Sequence, residues 1–419
     1  MSTTTILRIV IASLPIVLIK RYYGFSIGEF IVYSKAQGTE TPAERLNNTS
    51  LMCLSTDIGT INEEETDLIK ESVISFNALY ISMLKCKKGV TWKGSVASYY
   101  LNGIERTLSL EQKLKNGTYK ASPPVTFTIT SPKKRDILSI TFKDRVYQRS
   151  LNDNVIYPTM VTNFIHDNCA CQIGKGTDFA RNRLKTFLHR FYRKHKADGY
   201  VLQIDIKGYY PNMRHDVCKG TFKKKLDTWT YEKCARVLDE QYSGDIGFNP
   251  GSQMVQIAGI SVLNPIDHYA KDVLAIKHYI RYMDYIIIIH NDIQYLKRTL
   301  NLIKTELGKY GFECHETKTK IYPLSKGIEF LGFTFRLTDS GKVLMLLKSD
   351  NVKRERKKLY RLVKRCESGK IPKSKVYDCY NAWKAHAKHG NNNKIIFRMD
   401  EYYKSLWKGE NNGLHQTQH

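Results

Sequence analysis

Two apolar runs, each carrying an aspartate, dominate the pattern of hydrophobic and polar positions: Tyr200-Val201-Leu202-Gln203-Ile204-Asp205-Ile206 and Tyr279-Ile280-Arg281-Tyr282-Met283-Asp284-Tyr285-Ile286-Ile287-Ile288-Ile289. Both are rich in β-branched residues and bounded by polar ones, the signature of a buried strand. Upstream, apolar residues recur at helical spacing from about Glu64 to Asn116, at Leu68, Val73, Phe76, Leu79, Leu84, Val96, Tyr100, Ile104, Leu108 and Leu114, and Gly117 closes the region. Val125–Ile129 and Ile137–Phe142 flank Ser131-Pro132-Lys133-Lys134-Arg135-Asp136 and predict a hairpin with a basic tip. A helix carrying Asp144, Arg145, Gln148 and Leu151 follows. Then Gly174-Lys175-Gly176-Thr177 leads into a helix from about Asp178. Glycines ahead of a helix leave N–H groups free for an anion. The P-loop pattern is nevertheless absent, because Gly176 stands where Ser or Thr is needed.

Beyond the first aspartate run, the spacing predicts helix from His215 to about Tyr242. A longer helix is opened by Pro250-Gly251-Ser252-Gln253 and reaches Asp267-His268-Tyr269, and another spans Tyr295–Tyr310. Gly311 to Lys320 runs into a strand, and Ile328–Phe335 forms one arm of a hairpin that returns at Val343–Leu347. The order β, α, α, β, α, β around the aspartates is that of a split βαβ sheet and places the chain in the α+β class. After Lys348 the chain is helical and basic. At the other end, Lys35 to Ser50 reads as a linker behind an N-terminal extension. The apolar run Ile6–Ile19 is broken by Arg8 and Pro15 and falls short of the ~20 residues a bilayer-spanning helix needs. No clear small-residue cleavage site follows it, so an appended segment is favoured over a signal peptide.

Composition narrows the partner. The 419 residues carry 66 Lys and Arg against 40 Asp and Glu, a formal charge of +26, with 27 tyrosines among them. That balance points to nucleic acid, because neutralised phosphates release counterions and aromatic rings stack on bases. A membrane partner would need an anchor that the sequence does not offer. Nine scattered cysteines suit reduced thiols and a cytoplasmic setting. Cys169 and Cys171 with His166 lack a fourth zinc ligand and read as ordinary thiols. Asp205 and Asp284 are different. Two carboxylates on neighbouring strands, with no Lys or Arg directly beside either, make a site for a hard divalent ion.

Asp205-Ile206-Lys207-Gly208-Tyr209-Tyr210, Gly251-Ser252-Gln253, Tyr282-Met283-Asp284, Lys318-Thr319 and Phe330-Leu331-Gly332-Phe333 stand in the order of the conserved blocks of reverse transcriptases. Arg135 with Asp144-Arg145-Val146-Tyr147-Gln148, and Gly174-Lys175-Gly176-Thr177, resemble finger blocks of the bacterial retroelement enzymes. Tyr380-Asn381-Ala382-Trp383-Lys384-Ala385-His386-Ala387 is similar to a thumb segment of group II intron and diversity-generating retroelement enzymes. The resemblance covers roughly Trp92 to Trp407. It implies a right-hand polymerase with an N-terminal extension and linker (1–50), a helical N-terminal region (51–122), fingers (123–199), a split-βαβ palm (200–347), a basic helical thumb (348–408) and a tail (409–419). The implied function is RNA-directed DNA polymerisation in a bacterial retroelement, retron, phage or defence setting. Its partners are an RNA template, a DNA or RNA primer and dNTPs, with a structured retroelement RNA or an accessory protein as further candidates.

The resemblance also assigns roles. Asp205, Ile206 and Asp284 form the metal set for two Mg2+ ions, with Mn2+ as the alternative, and Lys318 is the candidate proton donor to pyrophosphate, with Lys320 competing for that role. Tyr210, five positions after Asp205, is the residue placed against the sugar 2′ position, and Gln253 lies near the nascent base pair. Arg135, with Lys134 or Lys175, is assigned to the triphosphate, and Phe330, Leu331 and Gly332 to the primer grip. Lys353, Arg354, Lys357, Arg361 and Lys364 lie on one stretch whose other face is Val352, Leu359, Leu362, Val363 and Cys366, an amphipathic helix with a cationic side for a nucleic-acid backbone. Each role has a plainer rival: a strand-end cap, a core tyrosine, a solvated lysine, a packed hairpin.

One position departs from the family pattern. Where a second aspartate follows the one matching Asp284, this chain has Tyr285. A phenol with a reference pKa of ~10 cannot replace a carboxylate at neutral pH. Two readings follow: a polymerase working with Asp205 and Asp284, or an impaired polymerase fold that binds nucleic acid without extending primers.

Overall fold

The computed structural model describes residues 63–130, 135–248 and 251–408. The Ile6–Ile19 run, the 35–50 linker, Ser131–Lys134, Pro250 and the 409–419 tail lie outside the described residues.

The periodic region before Asn116 folds as four helices, α1 (Glu63–Ile74), α2 (Phe76–Lys87), α3 (Gly94–Leu101) and α4 (Gly103–Lys115). Ser75 ends the first and caps the second, its hydroxyl accepting from the Ala78 N–H. Each break resets the phase of the apolar stripe. Val73, Leu79 and Val96 are therefore buried as their spacing predicts, whereas Leu68, Tyr100, Ile104 and Leu108 are exposed.

Strands β1 (Val125–Ile129) and β2 (Arg135–Ser139) pair antiparallel, Val125 opposite Ser139 and Ile129 opposite Arg135, which is the expected hairpin. Helix α5 (Phe142–Leu151) starts at Thr141, whose hydroxyl accepts from the Asp144 N–H. Asp144 is fully buried and accepts from the Tyr119 hydroxyl at 2.8 Å and the Ser122 N–H at 2.9 Å, so it holds the entry to its own helix. A short α6 (Tyr157–Val161) follows.

The described residues divide into two units. The first comprises the chain to Thr162 with Lys219–Gly244 and the segment up to Ile257; the second comprises Asn163–Cys218, Asp245–Phe248 and the chain from Ala258. The second unit begins with α7 (Thr177–His195) and β3 (Tyr200–Asp205). Between β3 and the next strand run α8 (His215–Lys223), α9 (Thr228–Gln241), α10 (Gln253–Val262) and α11 (Asn264–His268). The expected single helix from Gln253 to Tyr269 is broken because Pro265 lacks an amide hydrogen and fits only a first helical turn.

The second aspartate run is two strands, β4 (Tyr279–Tyr282) and β5 (Tyr285–His290), with Met283 and Asp284 as the turn between them. Helix α12 (Ile293–Gly308) and β6 (Lys320–Pro323) complete an antiparallel sheet of order β4-β5-β3-β6. Ile286, Ile287, Ile288 and Ile289 are buried on both faces of the sheet, which is why no polar alternation marks this strand.

The second expected hairpin is a three-stranded sheet, β7 (Ile328–Phe330), β8 (Phe333–Leu337) and β9 (Val343–Leu347), because Leu331-Gly332 reverses the chain. Helices α13 (Ser349–Glu367), α14 (Lys373–Lys388) and α15 (Asn393–Lys408) follow. One core runs through this unit, joining Phe187 and Phe191 of α7, Ile287 of β5, Phe330, Phe333 and Phe335 of the small sheet, and Leu359, Trp383 and Met399 of the last helices. The architecture is the α+β class of the right-hand polymerases, with a split-βαβ palm and a helical thumb. No helix among the described residues is long and apolar enough to cross a membrane.

Before α7, the nearly buried Asp167 accepts from Arg183 Nε at 2.5 Å and Lys271 Nζ at 2.9 Å. Burial pushes its carboxyl up, but these two bonds outweigh it and hold it below the usual carboxylate range. A depressed folded pKa stabilises above the unfolded value and is lost as pH falls through the folded one. Asp167→Asn is therefore expected to cost about 3 kcal/mol at pH 7, with the gap to wild type closing below pH ~4. Urea unfolding at both pH values checks this, and a gap independent of pH would contradict it.

Candidate active site

Asp205 ends β3 opposite Tyr285, the first residue of β5. Asp284 therefore sits in the turn beside it, and the link is direct: the Ile206 N–H donates to the Asp284 carbonyl at 3.1 Å. Met283 has φ +56°, so the turn carries its left-handed residue at the first central position, as a type II′ hairpin does, but with methionine in place of the preferred glycine. Strain of this kind persists only where the surroundings over-determine it. Here they do, because the fully buried Arg281 donates from Nη1 to the Met283 carbonyl at 3.0 Å. Arg281 is itself fixed by Asp267, through Nε to Oδ1 at 2.7 Å and Nη2 to Oδ2 at 2.6 Å.

The loop between α12 and β6 brings the third member. The Asp205 carbonyl accepts from the His315 N–H at 2.7 Å, and its amide donates to the Thr319 hydroxyl at 3.3 Å. Lys318, held between them, places Nζ 3.0 Å from Asp205 Oδ1. No Lys or Arg adjoins either aspartate in sequence, but the fold brings one ammonium, that of the candidate Lys318, to Asp205. Lys320 instead lies in β6 with its ammonium over the Tyr322 ring at 5.4 Å.

Burial pushes the Asp284 carboxyl up. The Asp205 charge adds to this, while its own amide, Lys318 and Arg281 offset part of it. A buried carboxylate pushed up by its neighbour is one that a divalent cation would relieve, so the residues fit Mg2+. Among the described residues no group of three or more His, Cys, Asp or Glu is placed to hold a metal ion, so the fit rests on this pair.

Tyr285 does not stand in for the missing carboxylate. Its hydroxyl donates to the Glu329 carbonyl at 3.0 Å and its ring stacks on Phe330 at 5.9 Å, tying β5 to β7. Phe330 and Phe333 pair across Leu331 (φ +45°) and Gly332 (φ +88°), a two-residue turn with both central residues left-handed. Arg181 Nη2 donates to the Leu331 carbonyl at 2.9 Å and its guanidinium covers the Phe333 ring at 4.7 Å. The proposed primer-grip residues are therefore a braced turn.

Tyr210 is held by a fit that sequence alone does not show. Its ring packs on Gly259, where an added Cβ would lie 2.8 Å from the Tyr210 hydroxyl and 3.2 Å from ring carbons. That hydroxyl is buried without a hydrogen-bond partner. Burial, with the nearby Cys171 and Asp284, pushes the phenol well up, so it is neutral. Lys175 Nζ is engaged by the carbonyls of His166 at 3.2 Å and Asn168 at 3.3 Å and braces its own loop. Arg135 and Gln253 belong to the first unit, Arg135 at the start of β2 and Gln253 at the start of α10 with Oε1 buried and unpartnered. Lys353, Arg354, Lys357, Arg361 and Lys364 are exposed on α13, while Leu359 and Val363 enter the core, so the amphipathic pattern holds.

The Tyr210–Gly259 contact is testable. Gly259→Ala is expected to destabilise by about 1–3 kcal/mol through overpacking. Tyr210→Phe, which deletes the hydroxyl nearest the new methyl, should recover part of that loss. Thermal unfolding of the two single variants and the double variant measures the coupling, and strict additivity would contradict the packing assignment.

No match is found among curated proteins. Among solved structures, apo telomerase from Candida tropicalis truncated of its C-terminal domain is similar over 58% of this chain and 60% of that one, with 14% identity and a TM-score of 0.41. Apo telomerase from the same organism gives 59% and 52%, again with 14% identity and 0.41. Telomerase from Candida albicans in complex with a fragment of telomeric RNA gives 72% and 56%, with 11% identity and 0.44. The chain thus spans between about half and three-fifths of the length of these structures. Residues 130–335, which contain Asp205, Asp284 and Lys318, match the family described as Reverse transcriptase (RNA-dependent DNA polymerase), and the chain carries a reverse transcriptase domain.

Proposed function

We propose that this chain extends a primer on an RNA template by two-metal nucleotidyl transfer, with Asp205 and Asp284 as the metal-holding carboxylates. The observation that carries the reading is the convergence of these two aspartates at one end of the β3–β5 ladder, with Lys318 against the first. Bound there, Mg2+ or Mn2+ supplies the Lewis acidity that activates a primer 3′-hydroxyl and neutralises the leaving pyrophosphate. Lys318, 3.0 Å from Asp205, would donate its proton to the leaving pyrophosphate. The Tyr210 ring, rigid on Gly259, excludes a ribose 2′-hydroxyl by volume. The Leu331-Gly332 turn seats the primer end, and the cations of α13 follow the duplex backbone. In this reading the chain falls in three parts, fingers over 123–199, palm over 200–347 and thumb over 348–408, and its setting is a bacterial retroelement, phage or defence system with a group II intron, diversity-generating or retron RNA.

A second reading is favoured by one observation. Tyr285 is committed to the Glu329 carbonyl and the Phe330 ring, so no side chain supplies the third charge, and the fold binds nucleic acid with extension weakened or lost.

Primer extension with Mg2+, dNTPs and an RNA template separates the two. Extension by the unaltered chain, abolished by Asp205→Asn, supports the polymerase. No extension by the unaltered chain, with gain in Tyr285→Asp, supports the impaired reading. Silence of both while duplex still binds sinks the polymerase assignment. On α13, Lys353→Gln with Lys357→Gln should reduce the slope of log affinity against log salt by about 1–2 for a primer–template duplex in a fluorescence-anisotropy titration.

A further inference from the structure

A cleft of about 860 Å3 opens at the end of the β3–β5 ladder opposite the aspartates, where Tyr200 pairs with His290. Asp205 is five residues away along β3, roughly 17 Å at strand rise, so this is a separate place from the candidate active site. Three elements wall it: the last turns of α7, the segment leading into β4, and the junction of β5 with α12. They contribute Arg190, Arg193 and Lys194 from α7 and Lys277 ahead of β4, while no lining residue is acidic. Among the described residues none of these four cations forms an ion pair with a carboxylate. Basic residues in a last helical turn are ordinary, since they face the negative end of the helix dipole. Lys277 comes from another element and has no such reason to be there.

One further feature points to a ligand. His290 and Tyr295 stack at 4.0 Å between ring centroids, forming an aromatic wall beside the cations. The cleft is far larger than one phosphate and lies within the size range of nucleotide-sized sites. Cations without counterions and a stacking wall together match a phosphodiester strand with an exposed base.

We propose that this cleft binds an unpaired segment of nucleic acid, separately from the duplex in the candidate active site. The proposal goes beyond the polymerase reading and does not depend on catalytic competence, because binding is measured without extension.

The test uses the full chain with the active site first saturated by an unlabelled primer–template duplex. Fluorescent rU12 and dT12 are then titrated by anisotropy between 50 and 200 mM KCl. The expected result is that at least one oligonucleotide binds the duplex-loaded chain, the comparison of the two naming RNA or DNA as the source. Arg193→Gln with Lys277→Gln, both exposed and from different elements, should weaken that binding tenfold or more and reduce the log-log salt slope by about 1–2, while duplex affinity is unchanged. Oligonucleotides carrying 4-thiouridine or 4-thiothymidine should crosslink to the peptide containing His290 and Tyr295. Failure of both to bind the loaded chain overturns the proposal. So does an equal loss of oligonucleotide and duplex affinity in the double variant, or competition by inorganic phosphate as strong as by a strand at equal ionic strength. A chain inactive in primer extension that still gives the expected binding leaves this proposal standing and weighs only on the polymerase reading.

Discussion

The buried ion pair between Arg281 and Asp267 sets the geometry on which the rest of the palm depends. Both side chains are fully removed from solvent. Taking two ions out of water costs several kcal/mol each, and only close, multiple hydrogen bonds offset that. Arg281 meets the requirement with two bonds to Asp267, one to the Ile260 carbonyl at 2.9 Å and one to the Met283 carbonyl, while Tyr279 donates to Asp267 Oδ1 at 2.7 Å. Its backbone completes the arrangement, donating to the Asp167 carbonyl and accepting from the Cys169 N–H. Arg281, through its guanidinium and its backbone, therefore commits α10, α11, β4, the 167–169 segment and the turn to a single arrangement. A packed apolar residue could fill the space, but it could not hold a left-handed methionine against its preferred backbone. The pair stabilises a particular turn more than it stabilises the protein.

A second left-handed turn answers the first. Leu331-Gly332 is braced by Arg181 as Met283 is braced by Arg281, and Tyr285 joins the two hairpins by bonding the residue just before Phe330. Lys348 bonds the Glu329 carboxylate of that same residue at 2.6 Å. Tyr285 supplies a cross-link between the palm sheet and the small sheet. It is a structural tie whose removal would free the β7–β8 hairpin.

The sequence makes the two aspartates legible because an acid inside an apolar run is chemically conspicuous. It does not reveal that Asp284 lies in a turn, since Tyr282-Met283-Asp284-Tyr285 contains neither the glycine nor the asparagine that usually marks one. The braces are hidden for a related reason. Asp267 is fourteen residues from Arg281 and reads as one more polar position on a helix, while Arg181 and Leu331 are 150 residues apart. Gly259 looks like a weak point in an apolar helix until the Tyr210 ring is seen against it. Local periodicity reports which face is buried; it carries no information on which distant partner satisfies a buried charge. The exposed cationic side of α13 was legible because its driving pattern is local.

For the proposed metals the pair of carboxylates sets the charge: Asp205 and Asp284 carry one each, and Lys318 Nζ lies 3.0 Å from the first. Mg2+ dehydrates reluctantly and is commonly held by one or two carboxylates together with substrate phosphates. With Tyr285 turned to Glu329, the proposed metals would draw a large share of that coordination from the phosphates of an incoming nucleotide. In the proposed reading Lys318 would compete with the cation for Asp205 before the nucleotide binds and would face pyrophosphate after it. Metal and nucleotide would then bind as one event, and the turn that Arg281 holds keeps the second carboxylate in place for it.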